Sequence, residues 1–161
     1  MKLSIRSVVS SAVCVGLFAV LTGAAFAATD PQVGTWKLNV AKSKFSPGPV
    51  PTAATTMIQA VAAGTKVVVD QTLADGALRH WEFTGNYDGK DSPVTGSLDT
   101  DMVARTLVNA NTVETITKKD GKVMTTQLSV VSKDGLIRTV TTKGVNAKGE
   151  KMNNVSVYEK Q

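Results

Sequence analysis

Residues 112–143 read TVETITKKDGKVMTTQLSVVSKDGLIRTVTTK, and the fold turns on how that stretch is punctuated. Asp120-Gly121 and Asp134-Gly135 divide it into three runs, Thr112–Lys118, Lys122–Ser132 and Leu136–Lys143. Threonine and valine dominate the runs. Their branched β-carbons lose rotamer freedom in a helix and pack well on a pleated surface. Asp-Gly between such runs is a strong hairpin cue, because glycine accepts the positive φ that a tight turn needs. The stretch predicts three consecutive antiparallel strands.

The same rhythm extends in both directions. Asp75-Gly76, Asp88-Gly89, Asn109-Ala110-Asn111 and Lys148-Gly149 supply further turn signals, and residues 28–161 contain 19 Thr and 18 Val. Reading between the turns adds strands at Gly34–Val40, Thr55–Ala62, Lys66–Leu73, Leu78–Tyr87, Met102–Val108 and Asn153–Glu159, about nine in all. Ala53–Ala63 is the one helical candidate, and Thr55, Thr56, Ile58 and Val61 favour a strand there. Residues 41–52, AKSKFSPGPVPT, form the one long connection, held extended by Pro47, Pro49 and Pro51. Consecutive hairpins build an all-β, up-and-down antiparallel sheet that must close or pack face to face.

Alternation assigns faces. Trp36, Leu38 and Val40 share one phase, as do Trp81, Phe83 and Tyr87; Met124, Thr126, Leu128 and Val130 share another, and Val155 pairs with Val157. These are read as inner faces, with Lys, Glu, Asp and Thr outside. A lipid-facing barrel needs the reverse, so no membrane insertion is expected of the mature domain.

The chain of 161 residues carries 18 Lys+Arg against 13 Asp+Glu, one His and one Cys. Hydrophobic residues make up 42% and charged residues 19%, a globular balance. Lys2 and Arg6 precede an uncharged run with an apolar heart at Val13–Leu21, closed by Ala25-Phe26-Ala27. That order is a secretory signal cut after Ala27, leaving a single domain at residues 28–161; an uncleaved anchor is the alternative. A periplasmic or secreted location follows. Cleavage removes Cys14, so thiol chemistry and cysteine metal ligation are excluded for the mature form. A lone His excludes the two-His metalloprotease motif, and scattered lysines without interleaved aromatics give no nucleic-acid footprint. A monomer with no cofactor is expected.

Gly34-Thr35-Trp36-Lys37-Leu38 opens the first strand, and Val155-Ser156-Val157-Tyr158-Glu159-Lys160 closes the last. Gly-x-Trp resembles the lipocalin signature, and the two ends together are similar to fatty-acid-binding proteins. The overall look is that of small exported bacterial lipocalin-like proteins. The resemblance implies a closed calycin-like barrel around a small-molecule cavity. It implies structural roles for Gly34 and Trp36, with Arg138 the late arginine available to cover Trp36. Two features depart from the fatty-acid-binding pattern. The proline-rich connection stands where that family has lid helices, and Ser156-Val157-Tyr158 keeps the Tyr of its Arg-x-Tyr but not the Arg.

Chemistry-bearing residues are few. Arg79, Arg105 and Arg138 each fall in phase with an apolar stripe, so an inward placement would give a cationic lining for a carboxylate or phosphate. Strand ends or the outer surface are the alternative. His80 falls in the outward phase, and a surface histidine is expected there; a pairing with Asp70 stays open. Asp88, Asp91, Asp99 and Asp101 cluster without the spacing of an EF-hand loop. No catalytic constellation is visible, so an enzyme is not expected. The reading is an exported carrier of a small, largely apolar ligand, anionic if the arginines line the interior. Arg79, Trp81, Phe83, Tyr87, Met124, Leu128 and Tyr158 are the wall candidates. The alternative is an envelope interaction protein whose barrel is packed shut.

Overall fold

A computed structural model describes residues 30–48, 50–146 and 148–161. The expected signal peptide, residues 1–27, lies outside them. Ten antiparallel strands follow one another: β1 (Gly34–Leu38), β2 (Ala53–Val61), β3 (Gly64–Thr72), β4 (Leu78–Gly85), β5 (Asp88–Thr95), β6 (Met102–Asn109), β7 (Thr112–Lys119), β8 (Lys122–Val131), β9 (Ile137–Val145) and β10 (Lys151–Lys160). Each pairs with its neighbour in sequence, and β10 returns to β1 with Leu38 opposite Tyr158 and Trp36 opposite Lys160, so the meander closes as a barrel. Closure satisfies the edge groups that an open sheet would leave unpaired.

Nine strands lie where the Thr- and Val-rich runs predict them. β5 is additional: Asp88-Gly89-Lys90-Asp91-Ser92-Pro93 lacks β-branched residues and carries a proline, so only its last two residues, Val94 and Thr95, favour a strand. Its seam with β4 is short. Only Glu82–Thr95 and Phe83–Val94 pair it to β4, whereas β2 and β3 share nine register pairs. After β1 the chain makes one 3-10 turn at Val40–Lys42, capped by Asn39, and then runs beside β10 through a bridge between Lys44 and Val155. Among the described residues no helix covers the barrel.

One end of the barrel is shut. Trp36, Ile58, Val67, Val69 and Val131 form a buried cluster there, with Val33, Trp81, Phe83 and Tyr158 packed against it. The segment before β1 plugs the floor. Gln32 is fully buried; its Nε2 donates to the carbonyls of Asn111 at 3.1 Å and Ser129 at 3.4 Å, while its Oε1 accepts from Ser129 Oγ at 2.9 Å. Its backbone carbonyl accepts the Trp36 indole N–H at 2.8 Å. A buried amide is costly unless its polar atoms are bonded in this way.

Two inner faces differ from the alternation reading. On β8 the inward residues are Thr125, Gln127, Ser129 and Val131, set by pairings of Thr117 with Thr125 and Val113 with Ser129. Leu128 and Val130 face outward, each roughly two-fifths exposed. On β10 the inward residues are Met152, Asn154, Ser156 and Tyr158, opposite Gly144, Thr142, Val140 and Arg138, so Val155 and Val157 face out. The apolar-in rule fails on these strands for one reason: their interior is polar.

Candidate functional site

The barrel is hollow. A cavity of about 540 Å³ opens at the end opposite Gln32, its mouth ringed by the β1–β2 connection (Phe45, Pro47), the β3–β4 turn (Leu73, Leu78), the β5–β6 loop (Gly96–Thr100) and the β9–β10 turn (Val145, Asn146). Its lining is divided. Strands β2–β6 contribute Ile58, Val67, Val69, Trp81, Phe83, Val94 and Val103, an apolar majority interrupted by Thr56, Gln71 and Arg105. Strands β7–β10 contribute Thr115, Thr117, Thr125, Gln127, Arg138, Thr142, Asn154, Ser156 and Tyr158, a mostly polar wall of hydroxyls, amides and one guanidinium that also holds Met124, Val140 and Met152. An apolar molecule satisfies most of the first wall and leaves most of the second without partners. The lining therefore matches an amphipathic molecule.

The candidate residues divide accordingly. Trp81, Phe83, Met124 and Tyr158 line the cavity, and Arg79 stands at its mouth. Met124 reaches it through a bulge: pairing jumps from Thr117–Thr125 to Lys118–Val123, leaving Met124 as the extra residue beside inward-facing Thr125. Leu128 does not line the cavity, because its register partners Glu114 and Thr141 place it on the outer face. Tyr87 is not in the lining either. It follows Gly85, past the end of β4, and its hydroxyl donates to Asp30 Oδ2 at 2.6 Å beneath the floor. Arg79 is half-exposed and already paired, its Nη1 lying 2.9 Å from Asp99 Oδ2.

The two interior arginines have different surroundings. Arg105, on β6, is buried; its Nη1 donates to Thr65 Oγ1 at 2.5 Å and its Nη2 to Tyr87 Oη at 3.3 Å. Its guanidinium lies 4.5 Å from the Tyr87 ring centre and 5.6 Å from that of Phe83. Asp30, reached through the Tyr87 hydroxyl, supplies a countercharge. Burial lowers the Arg105 pKa, and Tyr87 and Asp30 oppose that fall. Burial also raises the pKa of Tyr87, against the pull of Arg105.

Arg138, on β9, lacks such compensation. Its Nε donates to Ser129 Oγ at 2.8 Å, and its guanidinium carbon stands 5.5 Å from the Tyr158 ring centre. Burial pulls its pKa down to about 10, Tyr158 pushes it up and the positive charge of Arg105 lowers it further. The Tyr158 phenol is raised in turn by burial, with Arg138 opposing. The structural role expected for Arg138 beneath Trp36 belongs instead to Lys160, whose Nζ lies 5.2 Å from the indole centre. Gly34 makes that possible: a Cβ there would collide with the Lys160 stem, and its φ of +144° suits only glycine.

On the outer face, His80 Nδ1 sits 2.7 Å from Asp70 Oδ1, a cross-strand pair between β4 and β3 with both side chains exposed. Of the clustered aspartates, Asp91 pairs with Lys118 and Asp88 with Lys90, while Asp101 accepts the Asp120 N–H. Among the described residues no group of three His, Cys, Asp or Glu side chains is arranged to hold a metal ion.

No protein-family model matches the chain, and no curated protein matches it in sequence.

Proposed function

We propose that this protein is an exported, lipocalin-like carrier that holds a small amphipathic ligand inside its barrel. The observation that carries the reading is the divided cavity of about 540 Å³, floored by the Gln32 plug and open at one end. That volume lies within the range of small-molecule sites. The hollow favours a carrier over an envelope protein with a filled barrel. Periplasmic or secreted placement rests on the signal-like sequence at residues 1–27. The outer surface of β3–β7 suits water, since Lys66–Glu82 and Asp91–Lys118 ion pairs and the His80–Asp70 pair lie on those strands. A binding role rather than catalysis fits the placement of His80 and Asp70, whose paired side chains are exposed to solvent at the rim of the cavity.

The test is native mass spectrometry of protein purified from its own host, with and without organic extraction. A bound small molecule released by extraction is the expected outcome. A barrel that is empty from its host and also takes up no apolar dye would remove the reading.

A further inference from the structure

The structure assigns Arg138 as the anchor for an acidic head group, and we infer that the ligand is an amphiphilic organic oxyanion, a carboxylate or phosphate ester, bound head down. This inference rests on the carrier reading above and specifies what the carrier recognises.

The first support is an inventory of donors. Arg138 Nε is engaged by Ser129, but among the described residues no acceptor meets Nη1 or Nη2. Neither nitrogen is occluded like the sealed and unpartnered Nε of Arg105. Arg138 lines the cavity, so its two free nitrogens are open to the hollow. A guanidinium presents its terminal N–H groups as a planar fork that matches the two oxygens of a carboxylate or phosphate.

The second support is charge. The lining of the inner walls contains two guanidiniums, Arg105 and Arg138, and no carboxylate; the acids of the lining, Asp99 and Glu150, stand at the mouth. Arg105 is served by Thr65, Tyr87 and Asp30, whereas Arg138 has a serine and an aromatic face. An interior ion without a counterion is strongly unfavourable. Water can solvate the free nitrogens but brings no countercharge. An oxyanion supplies both.

The third support is position. Arg138 is the second residue of β9 and pairs with Val131 and Tyr158 near the floor. Of the polar side chains that line the cavity, Tyr158 stands opposite Arg138 on β10, and Gln127 and Ser156 are the next above it on β8 and β10; these can complete the head-group site. The apolar wall rises from Phe83 through Trp81 towards Leu78 at the mouth, a path for the rest of the molecule.

The experiment is calorimetric titration of delipidated protein with dodecanoate, dodecyl phosphate, 1-dodecanol and dodecyltrimethylammonium, repeated on Arg138→Met and Arg138→Lys. At neutral pH one or both anions should bind wild type about 10-fold or more tightly than the alcohol, the worth of a charged hydrogen bond, and the cation should bind worst. Arg138→Met should reduce the anion-to-alcohol ratio to near unity while alcohol binding persists, and Arg138→Lys should keep part of the preference. The preference for dodecanoate should vanish as pH falls below the carboxylate range of about 4–5, with alcohol binding unchanged. Whichever anion shows the larger Arg138-dependent ratio identifies the head group. Equal binding of alcohol and anions by wild type, or a preference that survives Arg138→Met, overturns the anchor and leaves the carrier standing. Failure of every probe, the alcohol included, overturns the carrier and the anchor together.

Discussion

Arg105 and Arg138 carry the same charge inside the same barrel, but their partners give their removal opposite signs. Arg105 is hydrogen-bonded and stacked, so Arg105→Met removes the donor to Thr65 Oγ1, which keeps only its bond to the Gly85 carbonyl, and takes a charged partner from the Tyr87–Asp30 pair. It should destabilise the fold by about 1–3 kcal/mol. Arg138 has one hydrogen bond, and Ser129 keeps its bond to Gln32 without it. An interior ion without a counterion carries a desolvation cost that an apolar side chain of similar volume does not, so its replacement is neutral or stabilising. Arg138→Met should therefore raise the urea midpoint of the ligand-free protein while Arg105→Met lowers it, with m unchanged in both. The alkaline limb of stability separates them as well. Tyr87 and Tyr158 have folded pKa values above the ordinary 10, so the stability they give is complete below pH 10 and lost as pH rises through the folded values. Arg138 runs the other way. Its folded pKa of about 10 lies well below the ordinary guanidinium value, so the folded state sheds that proton first and stability is regained between the two. In Arg138→Met that compensation is gone, and urea midpoints followed from pH 9 to pH 11 should fall more steeply than in wild type.

Within the strands, irregularities decide what reaches the cavity. The β8 bulge pushes Met124 towards the mouth, and β9 answers with Gly144 at φ +146°. A Cβ at Gly144 would meet the Met124 carbonyl and stand 2.7 Å from the Thr125 Cα, neither of which can yield. Gly144→Ala should cost about 2 kcal/mol or more on thermal or urea unfolding. Gly135→Ala, at a turn with φ +73° and open space around it, should cost only about 1 kcal/mol from backbone strain. The two-pair seam between β4 and β5 makes a different prediction. Amides of β5 should exchange with deuterium far faster than those of β2 and β3, because few bonds must break to open it. These same places mark the limit of what the sequence discloses. The Asp-Gly turns and the Thr and Val runs disclose the meander, and Gly-x-Trp discloses the closing strand. β5 is held by its neighbours rather than by its own propensity, so its local signal is confined to Val94 and Thr95. Leu128, Val155 and Val157 mislead because alternation reveals two faces without saying which is inside. That inference assumes a dry interior, and β8 and β10 face a polar hollow. Arg138 is in phase with Leu136 and Val140, but nothing in one dimension shows that Arg105 has found Tyr87 and Asp30 while Arg138 has found no acid.

At the scale of the whole molecule, closure between β1 and β10 makes the starting point of the chain arbitrary. Gln161 N–H bonds the Thr35 carbonyl, so the carboxyl end lies beside β1 at the floor, a few residues from Asp30. A flexible Gly/Ser linker of about six residues spans such a gap without strain. Joining residue 161 to residue 30 and opening the chain between Ser97 and Leu98, in the exposed β5–β6 loop, removes no strand pairing and keeps the Gln32 plug. The permutant should be monomeric by size-exclusion chromatography, with the far-UV dichroism and probe binding of the parent. Deleting residues 151–161 has the opposite effect. It exposes the edges of β1 and β9 together and opens the cavity along its polar wall. Unpaired edges rich in β-branched residues template association, so the truncated chain should aggregate and bind thioflavin. A soluble, folded truncation alongside a failed permutant would mean that β10 does not close the barrel, and a sheet open at that seam could not keep Arg138 facing an enclosed hollow.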